Sequence, residues 1–303
     1  MAFTAFSAQT SAAEPAAKRR SPIALFLLLP GILYLILFFV TPLISLVITS
    51  FQEPDPVRFG SFVNAFRWEN YVIVLETYGE QSLRSAGFAA LATLFALLIG
   101  FPLGYFIGIT LRPYPLLQGL ALVLVIAPFF ISFLLRTLAW KQIFSDEGPI
   151  AGVLGALAIL PPGQAITGTA FSVIFGLTYN FVPFMTLPIY ATLASLDLRL
   201  LEAGNDLYGS PAVTFRTVTL PLSAAGVMSG TLLTFIPAAG DYINASREFL
   251  GSTDTTMIGN VIETNFLVLQ NFPAAAALSL VLMAAILILV SLYVRRSGTE
   301  ELL

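Results

Sequence analysis

The sequence contains no cysteine and no histidine. Without cysteine there is no disulfide framework, thiolate nucleophile or sulfur metal site. Without histidine there is no Ser-His-Asp arrangement, no zinc–histidine centre and no imidazole proton shuttle. Lysine is almost missing too. The chain has Lys18 and Lys141, neither after a glycine-rich loop, and no G-x-x-x-x-G-K-[ST] motif to cradle a phosphate. ATP hydrolysis by this chain itself is therefore not expected. Charge is scarce overall: 10% of 303 residues are Asp, Glu, Lys or Arg, against about 25% in an ordinary soluble domain. That is too little to dress a water-facing surface, and it argues against a soluble enzyme. The formal charge is −3, and no basic run forms a nucleic-acid patch. What is present in quantity is apolar: 57% of the residues are hydrophobic, with a mean hydropathy of +0.88. The expected solvent is lipid.

A helix needs about 20 apolar residues to cross a hydrocarbon layer of ~30 Å. Six segments qualify, each free of Asp, Glu, Lys and Arg: 22–48, 86–111, 116–135, 167–193, 220–239 and 274–294. None alternates as a barrel strand would, and a backbone in lipid must satisfy its own hydrogen bonds. The expected fold class is thus an all-α membrane protein with six transmembrane helices. A shorter apolar piece, 150–160, falls short of a crossing and reads as an interfacial, loop or re-entrant helix. Lys18, Arg19 and Arg20 precede the first span, and Arg295 and Arg296 follow the last. An even number of spans puts both ends on one side, and the positive-inside rule makes that side cytoplasmic. The inner segments then sum to +2 and the outer loops to −5. Residues 1–21 read as a cytoplasmic tail, 22–296 as the permeation domain with its core at 84–296, and 297–303 as a second tail. The first apolar run is longer than a ~7–15-residue signal core, so it reads as an uncleaved anchor.

Spans without an ionisable group disfavour a proton-driven carrier, which needs Asp, Glu or His at depth. A sodium site built from carbonyls and hydroxyls stays open. Prolines recur inside the spans, at Pro30, Pro42, Pro102, Pro128, Pro183 and Pro188. Each removes a backbone donor and can bend its helix.

The most informative stretch lies between the fourth and fifth spans, at 195–221. Leu198, Leu200, Leu201, Ala203 and Leu207, interleaved with Asp197, Arg199, Glu202 and Asp206, suit a short helix at a membrane surface. Ser210-Pro211 reads as a second helix start, and Gly209 between them as a break with positive φ. A helix–turn–helix of this kind, held between two spans, can pass a push from a soluble partner to both. This loop resembles the EAA loop of ABC-importer permeases, E-A-A-x3-G-x9-I-x-L-P. Glu202, Ala203, Val218, Leu220 and Pro221 fall on pattern positions. Gly204 replaces the second alanine, Val218 replaces isoleucine, and Tyr208 takes the usual glycine position with Gly209 one place later. The resemblance implies a type I importer permease fold and a non-catalytic subunit. Its partners would be a second permease subunit, two ATPase subunits that carry ATP and Mg, and an extracytoplasmic solute-binding protein. No cofactor is implied in this chain. The implied location is the bacterial cytoplasmic (inner) membrane. Glu202, Ala203, Gly204, Asp206, Gly209 and Pro221 are the implied coupling residues.

Further stretches resemble the polyamine (spermidine/putrescine) permeases: Arg136-Thr137-Leu138-Ala139-Trp140, Pro237-Ala238-Ala239-Gly240-Asp241-Tyr242, Leu250-Gly251 and Met257-Ile258-Gly259-Asn260. A polyamine is a flexible polycation, and an outer mouth at −5 would attract it. Asp241, Tyr242, Asn180 and Tyr105 are the candidate path residues, the rings as cation–π partners. Thr178, Phe129, Phe130 and Tyr179 join them more weakly. Arg136 would repel a polycation, and reads as structural, paired with an outer acid such as Asp146 or Glu147. The same importer class serving another organic cation, an opine-like compound or a metal complex stays open, as does a secondary carrier.

Overall fold

The computed structural model describes residues 22–55, 58, 60–157, 161 and 164–297. The tail at 1–21, nearly all of that at 297–303, and the end of the apolar piece at 158–160 lie outside the described residues. The chain divides into two compact units between Leu46 and Val47.

In the first unit, helix α1 (Pro22–Leu35) runs through a π turn (Ile36–Val40) into α2 (Thr41–Ser50). The π turn sits directly before Pro42, which has no N–H to give and whose ring crowds the preceding turn. The wider turn relieves that crowding, and the Thr41 hydroxyl donates to the Ile36 carbonyl at 3.0 Å. Side chains along this helix, such as Phe26, Leu33 and Phe39, are exposed.

The second unit opens with a small antiparallel hairpin, β1 (Gln52–Pro54) against β2 (Phe62–Asn64). Helix α3 (Glu69–Tyr105) follows and ends in a π turn (Phe106–Thr110). The predicted span at 86–111 is therefore the second half of a 42-residue rod, with non-helical backbone at Tyr78. Its first half carries Glu69, Glu76, Glu80 and Arg84, which end the apolar run without ending the helix. Arg84 pairs with Glu80 one turn back.

The third predicted span is broken. Helix α4 (Pro115–Ile126) passes into a 3-10 turn (Ala127–Phe130) and the chain then turns by 93° into α5 (Phe133–Phe144) and α6 (Pro149–Ala156). Pro128 is the local cause, since its nitrogen cannot continue the ladder. Helix α7 (Ala170–Ser195) is one continuous span, opened by a capping box between Thr169 and Ser172. Helices α8 (Leu198–Tyr208), α9 (Pro211–Thr214) and α10 (Leu220–Leu222), with a π turn (Phe215–Thr219) before Pro221, lead at a 63° bend into α11 (Ala224–Ala239). After an irregular stretch come α12 (Ile258–Glu263), a π turn (Thr264–Val268) and α13 (Phe272–Ser297). Among the described residues, four helices are long and apolar enough to cross a bilayer, and counting each bent pair as one span brings the number to six.

Between helices in lipid, association rests on close packing, because lipid tails are as apolar as leucine. Helix α3 and its π turn meet α7 along Ala92, Ala96, Gly100, Gly104 and Gly108, one small residue every fourth position, all buried. A Cβ at Gly104 would come within 2.9 Å of Ile189 Cγ2. Helix α11 closes the trio: a Cβ at Gly230 would lie 3.0 Å from the Met185 carbonyl oxygen. The core beneath joins Ala89, Val173, Leu177, Phe181, Ala238 and Met257.

Candidate functional site

Two regions concentrate the polar side chains and broken helices. The first is the α8–α9 elbow. Helix α8 starts where the Asp197 carboxylate accepts the Arg199 amide at 3.0 Å and stops at Gly209, whose φ of +63° is left-handed. Tyr208, standing at the pattern's glycine position, is the last helical residue, and Gly209 provides the cap one place later. Gly204 is buried against the next helix, where a Cβ would come within 2.8 Å of Thr214 Cγ2. That contact explains glycine in place of the pattern's second alanine. Glu202, Ala203, Asp206, Gly209 and Pro221 are all exposed. Leu207 is 76% exposed on the same short helix, so the elbow presents a mixed apolar and acidic surface.

The elbow is also tied to the ends of the spans. Arg112, in the turn between α3 and α4, donates to the Leu196 carbonyl at 2.7 Å. Phe215 sets its ring edge-on against Phe101 at 5.6 Å and against Tyr105 at 6.0 Å. Tyr105 thus lies at the elbow end of α3, packed on Phe215, and away from the other path candidates. Three contacts tie the elbow together and to its surroundings: Gly204 on Thr214 joins α8 to α9, Phe215 joins the turn after α9 to α3, and Arg112 holds Leu196, between α7 and α8.

The second region is the return segment after α11, residues 240–260. Asp241 and Asn180 are buried here, and the structure brings them together through two residues that the motif reading had not singled out as path candidates. Asn180 Nδ2 on α7 donates to Asn244 Oδ1 at 3.2 Å and to Thr137 Oγ1 on α5 at 3.4 Å. Asn244 in turn gives its backbone N–H to Asp241 Oδ1 at 2.7 Å and its side-chain amide to Oδ2 at 3.1 Å. Burial pushes the Asp241 carboxyl up to about 6, against the downward pull of the amide donors of Asn244, Ala245 and Ile243. An asparagine three residues after an aspartate, at 241 and 244, is the local spacing in the sequence that fits this turn. Thr137 sits inside the quoted Arg-Thr-Leu-Ala-Trp stretch.

The return segment is wedged in place. A Cβ at Gly251 would stand 2.0 Å from the Ala245 carbonyl oxygen, and one at Gly259 2.6 Å from that of Asp241. Ser172 Oγ and Gly168 N both donate to the Leu250 carbonyl at 2.8 Å. Ser85 Oγ accepts the Ile258 amide at 2.7 Å, and Asn260 Nδ2 donates to the Tyr242 carbonyl at 2.5 Å. Tyr242 keeps its side chain exposed. Thr178 spends its hydroxyl on the Ile174 carbonyl of its own helix. Phe129 packs on Phe184, and Phe130 is exposed.

In this region two buried side chains have polar atoms left over. Among the described residues, Asn180 Oδ1 has no hydrogen-bond partner, and neither do Nε and Nη1 of Arg136. The expected pairing of Arg136 with Asp146 or Glu147 is not formed. Asp146 instead turns back to accept the Glu147 amide, and the guanidinium lies over the Phe133 ring at 5.7 Å. Arg136 is on a helix face directed at α7, whereas the two acids follow the end of α5.

No family model matches the sequence. The chain is 34% identical over 265 residues to the spermidine/putrescine transport system permease protein PotB of Escherichia coli K12, covering 87% of this chain and 94% of that one. It is 33% identical over 263 residues to PotB of Haemophilus influenzae, covering 86% and 90%. The E. coli inner membrane ABC transporter permease protein YdcU is 28% identical over 235 residues. Among solved structures, a bacterial ABC transporter that imports alginate matches with a TM-score of 0.65 over 92% of this chain and 96% of that chain, at 16% identity. The same likeness holds, at a TM-score of 0.66, for the alginate transporter in complex with its pentasaccharide-bound periplasmic protein.

Proposed function

This chain belongs to the spermidine/putrescine permease family of ABC importers, and we propose that it forms half of a polyamine pathway across the bacterial cytoplasmic membrane, driven through the α8–α9 elbow. The observation that carries this reading is the elbow's construction: an exposed acidic and apolar helix, packed at Gly204 on α9, joined through Phe215 to the end of α3, and starting beside the bond from Arg112 to Leu196 at the end of α7. Glu202, Ala203, Asp206 and Leu207 form the face that a partner ATPase grips. Gly209 sets the angle between the two short helices, and Pro221 starts the climb back into the membrane. Both termini and the elbow then lie on the cytoplasmic side. ATP and Mg belong to two ATPase subunits, a second permease subunit supplies the other half of the pathway, and an extracytoplasmic binding protein delivers the solute. The chain itself makes and breaks no bond.

The polyamine's ammonium groups need acceptors and rings along the way. Tyr242 offers an exposed ring, and Asn180 has an unpartnered acceptor oxygen that is buried in this conformation. Asp241 acts by holding the turn that carries Tyr242, since both its oxygens are taken by Asn244. Uptake of labelled spermidine into vesicles holding the whole complex tests this reading. ATP-dependent uptake that this chain alone does not support is the expected outcome. Uphill uptake by the chain without an ATPase would overturn it.

A further inference from the structure

Helix α5 and the return segment both cover the half of α7 that lies farther from Ser195 and the elbow, but they are fastened to it differently. As residue numbers rise along α5, those of its ring partners on α7 fall: Phe133 packs on Phe181 at 6.3 Å, Trp140 on Tyr179 at 5.2 Å and Phe144 on Phe171 at 6.1 Å. The two helices are therefore antiparallel along this seam. The return segment is held tightly. A Cβ at Gly176 would come within 2.6 Å of Asn244 Oδ1, and the Ser172 hydroxyl donates to the Leu250 carbonyl at 2.8 Å. The polar bonds of α5 across its seam are long by comparison. Asn180 Nδ2 donates to Thr137 Oγ1 at 3.4 Å, and Thr137 Oγ1 donates to Asn244 Oδ1 at 3.5 Å, against about 2.8–3.0 Å for well-made bonds of these kinds. The rest of the seam is ring against ring, with no directed bond.

Beside these long bonds stand the two leftovers. Arg136 is 8% exposed and Asn180 1%, yet Nε and Nη1 of the one and Oδ1 of the other have no partner among the described residues. The guanidinium lies over Phe133, itself a ring of the seam. A buried cation and a buried amide oxygen left unmatched are both costly. The unmatched atoms are sealed, so no group from outside answers them while the seam is shut. Parting the seam removes the cost, because water then reaches both. The chain is built to bend here. The 3-10 turn Ala127–Phe130 gives way to extended backbone at Ile131, Ser132 starts α5 without a side-chain cap bond, and the direction changes by 93°. The opposite face of α5, at Leu134, Leu135 and Leu138, is exposed, so no described residue clamps it from that side. At the far end Lys141 donates to the Glu248 carbonyl at 2.7 Å, an exposed bond that water can replace.

We infer that α5 is a gate on the pathway at the end opposite the elbow, shut in this structure, and that Arg136 and Asn180 are the residues that favour its opening. Lifted about the bend at 127–132, α5 uncovers Asn180 Oδ1, an acceptor for water or for an ammonium group, and releases the guanidinium to solvent. The return segment stays in place on α7. A shut state burdened with two unmatched groups opens for a smaller input from the elbow. The inference rests on the transport reading above, and not on which solute is carried.

The test uses the complete wild-type importer with its solute-loaded binding protein and ATP. Hydroxyl-radical footprinting reads oxidation at buried Phe181, on the seam, and at buried Met257, in the return segment, at rest and during turnover. Phe181 is expected to gain at least about fivefold as the open state is populated, with Met257 unchanged. The chain has no cysteine, so Thr137→Cys with Asn180→Cys places one defined bridge across the seam. Oxidising that pair is expected to stop solute-stimulated ATP hydrolysis, and reductant to restore it. Arg136→Met replaces the unmatched charge with an apolar chain. Melting temperature is expected to rise by several degrees while stimulated hydrolysis falls about fivefold, whereas an arginine with only a structural role would lower melting on removal. Three results would overturn the gate and leave the transport reading standing: equal oxidation of Phe181 at rest and during stimulated turnover, full stimulation in the bridged form, or lower melting in Arg136→Met. A wild-type complex without stimulation would overturn both. The wild-type footprint decides the matter even where a variant fails to fold.

Discussion

The elbow and the return segment are both polar interruptions of an apolar chain, yet they spend their polarity in opposite ways. At the elbow, Glu202, Asp206 and Leu207 face outward and the internal ties are few: one arginine to a carbonyl, one phenylalanine between two rings, one glycine contact. In the return segment, Asp241, Asn244 and Asn260 turn inward and are spent on one another and on the backbone. The lesson is that a charged residue at a helix end has two uses. An exposed one serves a partner, and a buried one builds the scaffold that holds an exposed neighbour such as Tyr242.

Substitution should separate these roles. The largest effect is expected at Gly251→Ala. The new methyl would press on the Ala245 carbonyl, which is backbone and has little room to retreat. Folded protein should be lost, as read by monodisperse yield in detergent; a normal yield would mean the return segment is looser than its packing implies. Next comes Asn244→Ala, which leaves the backbone amide on Asp241 Oδ1 but removes the side-chain donor to Oδ2 and the acceptor of Asn180. A loss on the order of 2–4 kcal/mol is expected, seen as a drop in melting temperature. Smaller again is the pH dependence. A carboxyl at about 6 in the fold and at 3.8 ordinarily binds more protons folded than unfolded between those values. Stability should therefore fall as pH rises from about 4 to about 6, by up to ~3 kcal/mol, and level off above. Asp241→Asn should flatten that slope. The smallest stability change belongs to the elbow: Arg112→Gln should leave melting within ~1 kcal/mol, since its bond to Leu196 is half exposed, while weakening solute-stimulated ATP hydrolysis severalfold.

The same contrast explains what the sequence disclosed. The six spans were legible because hydropathy is a running sum. The elbow was legible because its residues act as a contiguous string, and the shifted glycine at Gly209 still announced a break. The bend at Pro128 was not legible, since prolines such as Pro183 and Pro188 sit inside the unbroken α7. What differs at Pro128 is the tertiary setting that turns the chain toward α7. The first half of α3 was hidden because Glu69, Glu76 and Glu80 end an apolar run while favouring a helix. The hairpin at Gln52–Asn64 is too short to show a strand pattern. The union of Thr137, Asn180 and Asn244 was out of reach for a different reason. Three elements far apart in sequence supply one small polar cluster, and no local spacing records it.

The central claim is that force enters through the elbow. Glu202→Lys, in the complete complex with assembly verified, tests it most directly through ATP hydrolysis stimulated by the solute-loaded binding protein. The account predicts a loss of at least about tenfold, as a reversed charge at a gripped surface should give, with melting temperature unchanged. Stimulation equal to that of the wild type would contradict it.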